Sequence, residues 1–99
     1  MNTSRKGNAA ELTVRKDKEA LGYIAGSRRH VGGAGDWIFV HPGGDVQLVE
    51  VKACKNLWEG FRRADRQEMR ETLLPLSGSR WVANVKGKSI EYIHERDWP

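Results

Sequence analysis

Hydrophobic residues fall into short segments of the chain, separated by glycine, proline and polar residues. Residues 9–21 are good helix formers with modest apolar content, and Gly22 follows them, which predicts a first helix that ends there. The wholly apolar residues 37–40 predict a buried strand, and residues 46–53 predict a second strand after a turn at residues 42–45. Because a tight turn connects them, we expect an antiparallel hairpin.

The other segments complete the order of elements. Residues 23–25 predict a short strand, and residues 57–74 predict a long helix with apolar positions at helical spacing, ended by Pro75. Residues 81–85 and 89–94 predict two further strands. The order α-β-β-β-α-β-β indicates an α/β fold in which helices flank a mixed β-sheet.

Composition restricts the class of protein. With 99 residues the chain has room for a single domain, residues 1–99, and we expect its polar first eight residues to form a flexible basic arm. Hydrophobic residues make up 38% and charged residues 30%, a globular balance without a segment that approaches a membrane span. The N-terminus lacks the apolar core of a signal peptide, and Cys54 is the only cysteine. We therefore expect a cytoplasmic protein, or one in the host cytoplasm if the chain is viral.

The positive charge is concentrated in the first third of the chain. The formal net charge is +4, and residues 1–35 contain seven Lys or Arg against three Asp or Glu. This segment includes the basic residues 28–30 and has two interpretations. It forms a surface for a polyanion, or it is a solvated face that keeps the protein soluble, and the charge count does not decide between them.

Two carboxylates and a lysine are candidates for chemistry on the hairpin. Asp36 follows a glycine-rich loop and opens the first hairpin strand, while Glu50 and Lys52 are two apart on the second strand and so share a face. Pairing about the turn puts Asp36 and Glu50 near the same end of the sheet. Magnesium prefers such oxygen ligands, and a lysine can orient water and neutralise charge on phosphorus. The alternative is an exposed Glu/Lys pair without a catalytic role.

These residues also resemble a known family. Gly35-Asp36 followed by Glu50-Val51-Lys52 resembles the PD-(D/E)XK nuclease signature, with Gly35 where the name of the motif has proline. Residues 5–56 further resemble archaeal-type Holliday junction resolvases, of which the chain looks like a small phage or bacterial relative. The resemblance is carried by Arg5-Lys6-Gly7, Glu11-Leu12, Gly22-Tyr23 and Gly26-Ser27. Residues 57–99 match only in the order of elements, and the implied fold is a restriction-endonuclease-like core.

The resemblance implies a role for each matching residue of the catalytic site. Asp36 and Glu50 would ligate Mg²⁺, for which Mn²⁺ can substitute, together with the backbone carbonyl of Val51. Glu11 would complete the metal site directly or through water, or it is an ordinary acid near the start of a helix. Lys52 would position the nucleophilic water. Ser27 would lie near the scissile phosphate, or it is a plain loop serine.

Basic residues of the same region are expected to bind DNA. Arg5 and Lys6 match a basic N-terminal element that grips backbone phosphates in the family, and the residues that extend this surface are Arg28, Arg29, His30 and Lys55. Gln67 either faces the site from the second helix or lies on its solvated face.

The resemblance therefore implies a magnesium-dependent, structure-selective endonuclease that resolves four-way DNA junctions. Because such a junction is nearly two-fold symmetric, we expect a homodimer, with branched DNA as partner and no membrane or small-molecule cofactor. One alternative is a nuclease of the same superfamily that acts on mismatched, flapped or ordinary duplex DNA. Another alternative is a DNA-binding module that kept the fold and lost catalysis.

Overall fold

The computed structural model describes residues 2–28 and 35–99 of the chain. Helix α1 spans Asn2–Ala20, so it begins before the predicted residue 9 and includes most of the segment predicted to be a flexible arm. Its end is where the sequence predicts it. Gly22 has a φ of 93°, and the amide of Tyr23 donates to the carbonyl of Lys18 at 3.1 Å. In this type of helix end, glycine takes the left-handed conformation at little steric cost.

The described strands form one mixed sheet. They are β1 (Ile24–Ser27), β2 (Trp37–Val40), β3 (Val46–Lys52), β4 (Gly78–Lys86) and β5 (Ser89–His94). They lie in the order β1-β2-β3-β4-β5. β3 and β4 are parallel, and the other neighbouring pairs are antiparallel. The predicted α/β class with a mixed sheet flanked by helices is confirmed.

The β2–β3 hairpin determines which end of the sheet holds the candidate site. Trp37 lies opposite Val49 and Val40 lies opposite Val46, in the predicted antiparallel arrangement. The amide of His41 donates to the carbonyl of Asp45 at 2.8 Å and closes the turn. Because a hairpin turn fixes the register of its strands, the residues just before Trp37 lie beside the last residues of β3.

The connection from β3 to β4 contains two short helices, α2 (Leu57–Gly60) and α3 (Arg63–Glu71). The prediction of one continuous helix over residues 57–74 is wrong. Phe61 leaves the helical conformation, with φ −106° and ψ 84°, and its side chain is fully buried. The amide of Arg62 then donates to the Asp65 carboxylate at 3.0 Å and caps α3. Burial of the Phe61 ring together with this cap outweighs local helix propensity.

Both faces of the sheet are covered, and each has its own core. α1 packs on one face over a cluster of buried residues: Ala10, Val14, Phe39, Val49, Val51 and Ala83. α2 and α3 pack on the other face over a second cluster: Leu48, Leu57, Phe61, Met69, Val82 and Trp98. Successive strand residues point to opposite faces, so β3 supplies Leu48 to one core and Val49 and Val51 to the other.

The C-terminal segment closes the second core. A 3₁₀ helix, Glu95–Asp97, follows β5. Arg80 of β4 donates to the carbonyl of Met69 at 2.6 Å and pairs with Glu95 at 3.3 Å, which links α3 to this helix. None of the helices in the described part of the chain combines the length and the hydropathy that crossing a bilayer requires.

Candidate active site

Backbone hydrogen bonds hold Asp36 at the start of β2. Its amide donates to the carbonyl of Val49 at 2.9 Å, and its carbonyl accepts from the amide of Arg28 at 3.0 Å. Its carboxylate oxygen Oδ2 accepts from the amide of Val51 at 2.8 Å. These bonds join Asp36 to β3 and to the residue that follows β1, so the carboxylate has a defined position at the end of the hairpin.

Gly35 allows this placement because a larger residue would not fit. It has a φ of 90°, a conformation that other residues rarely adopt. A Cβ atom at this position would lie 2.7 Å from Cδ1 of Leu48. The backbone at Gly35 therefore approaches Leu48 closely, immediately before the candidate ligand.

Glu50 and Lys52 share the sheet face that bears Leu48, as their spacing predicts. The Lys52 ammonium lies 3.3 Å from Oε2 of Glu50, and their side chains are only 24% and 18% exposed, respectively. The pair is therefore not the freely exposed Glu/Lys pair that the sequence left open. Charged residues are seldom buried in this way without a partner or a function.

The electrostatic environment opposes ionisation of Glu50. Burial first, and then the charge of Asp36, raise the pKa of Glu50 from 4.5 to about 7, although Lys52 acts to lower it. Because the charge of Asp36 acts on Glu50, the two carboxylates lie close together, which is the arrangement expected when they share one end of the sheet. A group with such a shifted pKa at a strand end is a functional-site candidate.

Asp65 is a neighbour of the site that the sequence analysis did not identify. It lies in the first turn of α3, and its charge also raises the pKa of Glu50. The local pattern indicates only a helix-capping acid, because the proximity of α3 to β3 depends on the packing of the second core. Gln67, further along α3, donates to Glu71 at 2.9 Å on an exposed helix face.

The structure places Glu11 beside Ser27 and Trp37. Glu11 lies on α1, which packs on the sheet face opposite Glu50, and its backbone carbonyl accepts from the Trp37 indole at 3.1 Å. Glu11 and Ser27 line one cavity of about 230 Å³, together with Asn8, Leu12, Arg15 and Trp37. The guanidinium of Arg15 lies 5.8 Å from the centre of the Trp37 ring in this cavity.

The residues expected to bind DNA have different positions. The amide of Arg28 contacts Asp36 directly, and Lys55 lines a groove of about 540 Å³ beyond the end of β3. Arg5 and Lys6 lie in the first turns of α1. Arg29 and His30 lie outside the described residues.

Asp36 and Glu50 are the described carboxylates that could share a cation. Within residues 7–28 and 35–99, no group of three or more His, Cys, Asp or Glu side chains is arranged to hold a metal ion. The participation of Glu11 in the ligand set stays a prediction. The amide of Val51 donates to Asp36, and the role of the Val51 carbonyl as a metal ligand stays a prediction as well.

Comparison of the chain with protein-family models, with curated proteins and with solved structures gave no match. The membership of the PD-(D/E)XK superfamily therefore stays a prediction from the motif.

Proposed function

We propose that this protein is a magnesium-dependent endonuclease with a restriction-endonuclease-like core of the PD-(D/E)XK type, which resolves four-way DNA junctions. The observation that carries the proposal is the convergence of Asp36 and Glu50, with Lys52 3.3 Å from Glu50, at one end of the β2–β3 hairpin. An acid pair beside an ammonium suits metal-assisted hydrolysis of a phosphodiester.

The arrangement of the elements supports this core. An antiparallel hairpin bears the acids, and a helical connection leads from β3 to the parallel strand β4. The acids lie near the C-terminal end of β3. In α/β folds with parallel strands, ligands commonly bind at the C-terminal ends of the strands. This position of the acids supports the proposed site, although a fold alone does not specify an activity.

The donor set fits a hard divalent cation. Burial and the charge of Asp36 hold the pKa of Glu50 near 7, and a divalent charge between the two carboxylates would reverse that repulsion. Asp36 and Glu50 would hold Mg²⁺, or Mn²⁺ in its place, with the Val51 carbonyl as the family pattern implies. When bound, the ion supplies Lewis acidity and neutralises charge on the phosphate.

The side chains around these acids have separate tasks in the proposed reaction. Lys52 orients the attacking water and stabilises the negative charge that develops on the phosphate oxygens. Ser27 and Arg28 contact the phosphate next to the scissile bond. A bond forms between the water oxygen and phosphorus while the bond from phosphorus to O3′ breaks. The departing O3′ takes up a proton, leaving a 5′-phosphate and a 3′-hydroxyl.

A four-way junction requires two symmetric cuts, so the active form is a homodimer with two sites related by a two-fold axis. Recognition relies on the shape of the phosphate backbone more than on base identity, which makes binding strongly dependent on salt. The cytoplasm, or that of an infected host, is the proposed place of action.

The test replaces each acid by its amide, which keeps the shape and removes the charge. Asp36→Asn and Glu50→Gln should each reduce magnesium-dependent cutting of a synthetic four-way junction by roughly 100-fold or more while DNA binding persists. Glu68→Gln, which changes an exposed carboxylate on α3, is the matched control and should cut normally.

The substrate is tested with matched four-way, three-way, flap and linear DNA in the presence and absence of Mg²⁺. Undiminished cutting by pure Asp36→Asn protein would overturn the assignment of the site. Preferential cutting of a flap or a linear duplex would keep the nuclease and change its substrate. Binding without cutting of any substrate would identify a DNA-binding module instead.

A further inference from the structure

A groove of about 540 Å³ opens at the end of the sheet where the parallel strands β3 and β4 have their C-terminal residues. Residues 53–55, which follow β3, form one wall, and residues 85–87 at the end of β4 form the other. Lys55 and Lys86 are among the lining residues, and none of these six residues is acidic. The groove is therefore positively charged.

The β4–β5 turn adds to this charge. Lys88 follows Gly87 in the turn and is exposed. Lys86 pairs with Glu91 at 3.3 Å, but both side chains are more than half exposed. Exposed ion pairs of this kind contribute little free energy. The Lys86 ammonium can therefore exchange Glu91 for an anionic ligand at small cost.

The groove lies beside the candidate active site. Lys52 lies opposite Asn84 in the parallel register, so Lys86 is two residues, about 7 Å, further along β4. The buried Asn84 side chain accepts from the amide of Cys54 and donates to its carbonyl, each at 2.9 Å. These two hydrogen bonds of Asn84 to the backbone fix the segment that bears Lys55 against β4.

The groove also continues towards the start of α1. A second cavity, of about 210 Å³, shares three lining residues with it and extends along the helix; it is lined by Ala9, Ala10, Thr13, Ala53, Val85 and Gly87. The turn of α1 that precedes Ala9 contains Arg5 and Lys6. The groove thus continues from the β4–β5 turn, past the end of β3, along helix α1.

We propose that this groove binds the phosphate backbone of a DNA arm that leaves the cleavage site, through Lys55, Lys86 and Lys88. The inference rests on the proposed function for the identity of the ligand as DNA, and it adds the surface along which the arm runs. Lysine ammonium groups are strongly hydrated point charges that bind phosphates without reading bases. An open groove with lysines on both walls suits a long polyanion, whose charges recur along its length.

The test removes the two lysines of β4 and its turn. In Mg²⁺-free buffer, Lys86→Ala combined with Lys88→Ala should weaken binding of a four-way junction about 10-fold. The slope of log affinity against log salt should fall by about 2, because two phosphate contacts are lost. Replacing both lysines by arginine keeps the charge and should preserve affinity and slope.

Two further variants locate the effect. Glu91→Gln removes the competing carboxylate and should tighten binding. Arg96→Ala removes one charge from the 3₁₀ helix, which lies at the opposite end of the sheet beside the start of β4. This variant should leave the salt slope unchanged. Melting curves for each variant verify that these exposed substitutions keep the fold.

The results separate this inference from the proposed activity. Unchanged affinity and salt slope in the double alanine variant would overturn the groove as a DNA surface, even if the wild-type protein cuts junctions. Equal loss in the double arginine variant would overturn it too, since the charge is kept. A wild-type protein that cuts nothing yet binds DNA through these lysines would contradict the proposed nuclease activity and support the groove as a DNA-binding surface.

Discussion

Glu50 is an ionisable side chain that is largely buried, and burial in a folded protein opposes its ionisation. Its side chain is 18% exposed, and desolvation together with the charge of Asp36 raises its pKa to about 7. The Lys52 ammonium offsets part of this cost. Near neutral pH the folded protein without metal therefore holds Glu50 in a mixture of ionised and protonated forms, whereas the unfolded chain ionises it fully. A bound cation would shift this balance to the carboxylate.

The free energy of unfolding depends on pH because the pKa of Glu50 is 4.5 in the unfolded chain and about 7 in the folded protein. Between about pH 4.5 and 7 the folded state binds more protons at Glu50 than the unfolded state does, so stability falls as the pH rises through this window. The contribution is present below pH 4.5 and is lost above pH 7. It amounts to on the order of 3 kcal/mol.

Glu50→Gln should therefore stabilise the metal-free protein at pH 8 relative to wild type, and by much less at pH 5. Urea unfolding at the two pH values measures the free energy of unfolding, and the difference between variant and wild type cancels the contributions of other groups. Glu68→Gln, at an exposed position of α3, should show no such change. A difference between wild type and Glu50→Gln that is the same at pH 5 and pH 8 would contradict the burial of this carboxylate.

At the scale of elements, the β2–β3 hairpin is the part that assembles the site. Its turn sets the register, its second strand puts Glu50 and Lys52 on one face, and the chain just before its first strand supplies Asp36. The close contact of Gly35 with Leu48 makes this arrangement dependent on a single small residue. The hairpin is therefore the element in which a small backbone change should affect stability and activity together.

Gly35→Ala should destabilise the protein more than Gly44→Ala. Both glycines have positive φ angles, 90° and 109°, so each substitution carries the same type of strain, roughly 1–2 kcal/mol. At Gly44 a Cβ atom would meet nothing within 4 Å, whereas at Gly35 it would lie 2.7 Å from Leu48. Thermal melting measures both effects. Equal losses of stability would contradict the close packing at Gly35.

A second effect distinguishes the two variants in DNA cleavage. Gly35→Ala should also lower cutting of a four-way junction, because the displaced loop moves Asp36 away from Glu50. Gly44→Ala should cut like wild type at a temperature where both variants are folded. Full activity of Gly35→Ala would show that the loop tolerates the methyl group without moving the carboxylate.

At the scale of the whole molecule, charge is distributed unevenly. The acids of the candidate site lie at the end of the sheet where β3 ends, and the groove lysines lie at the same end. The N-terminal third contains a surplus of basic residues equal to the net charge of +4. An acid pair with lysines at the same end of the sheet suits a polyanion whose phosphate is presented to a cation.

The basic residues after β1 should therefore contribute to DNA binding. Replacing Arg28 and Arg29 together by alanine should weaken binding of a four-way junction and reduce its salt slope by about 2. The double lysine variant keeps the charge and should retain most of the slope. Fluorescence anisotropy over a salt series measures both. A slope equal to that of wild type would remove these arginines from the interface.

The features that the sequence by itself determined are local ones. The approximate strand positions, the hairpin turn and the helix end at Gly22 were predicted correctly because they depend on residues a few positions apart. β1 and β4 extend beyond the predicted residues 23–25 and 81–85. The common face of Glu50 and Lys52 follows from the two-residue period of any strand. The convergence of Asp36 with Glu50 also belongs here, since one tight turn connects the two strands.

The remaining features depended on contacts between distant parts of the chain. The break at Phe61 reflects a ring buried in the second core, and the charge of Asp65 acts on Glu50 only because α3 packs on that face. α1 packs on the other face of the sheet, where Glu11 lines a cavity with Ser27 and Trp37. The raised pKa of Glu50 and the lysine groove arise in the same way. Only the tertiary structure decided these points, because burial and proximity across elements are not encoded in a local pattern.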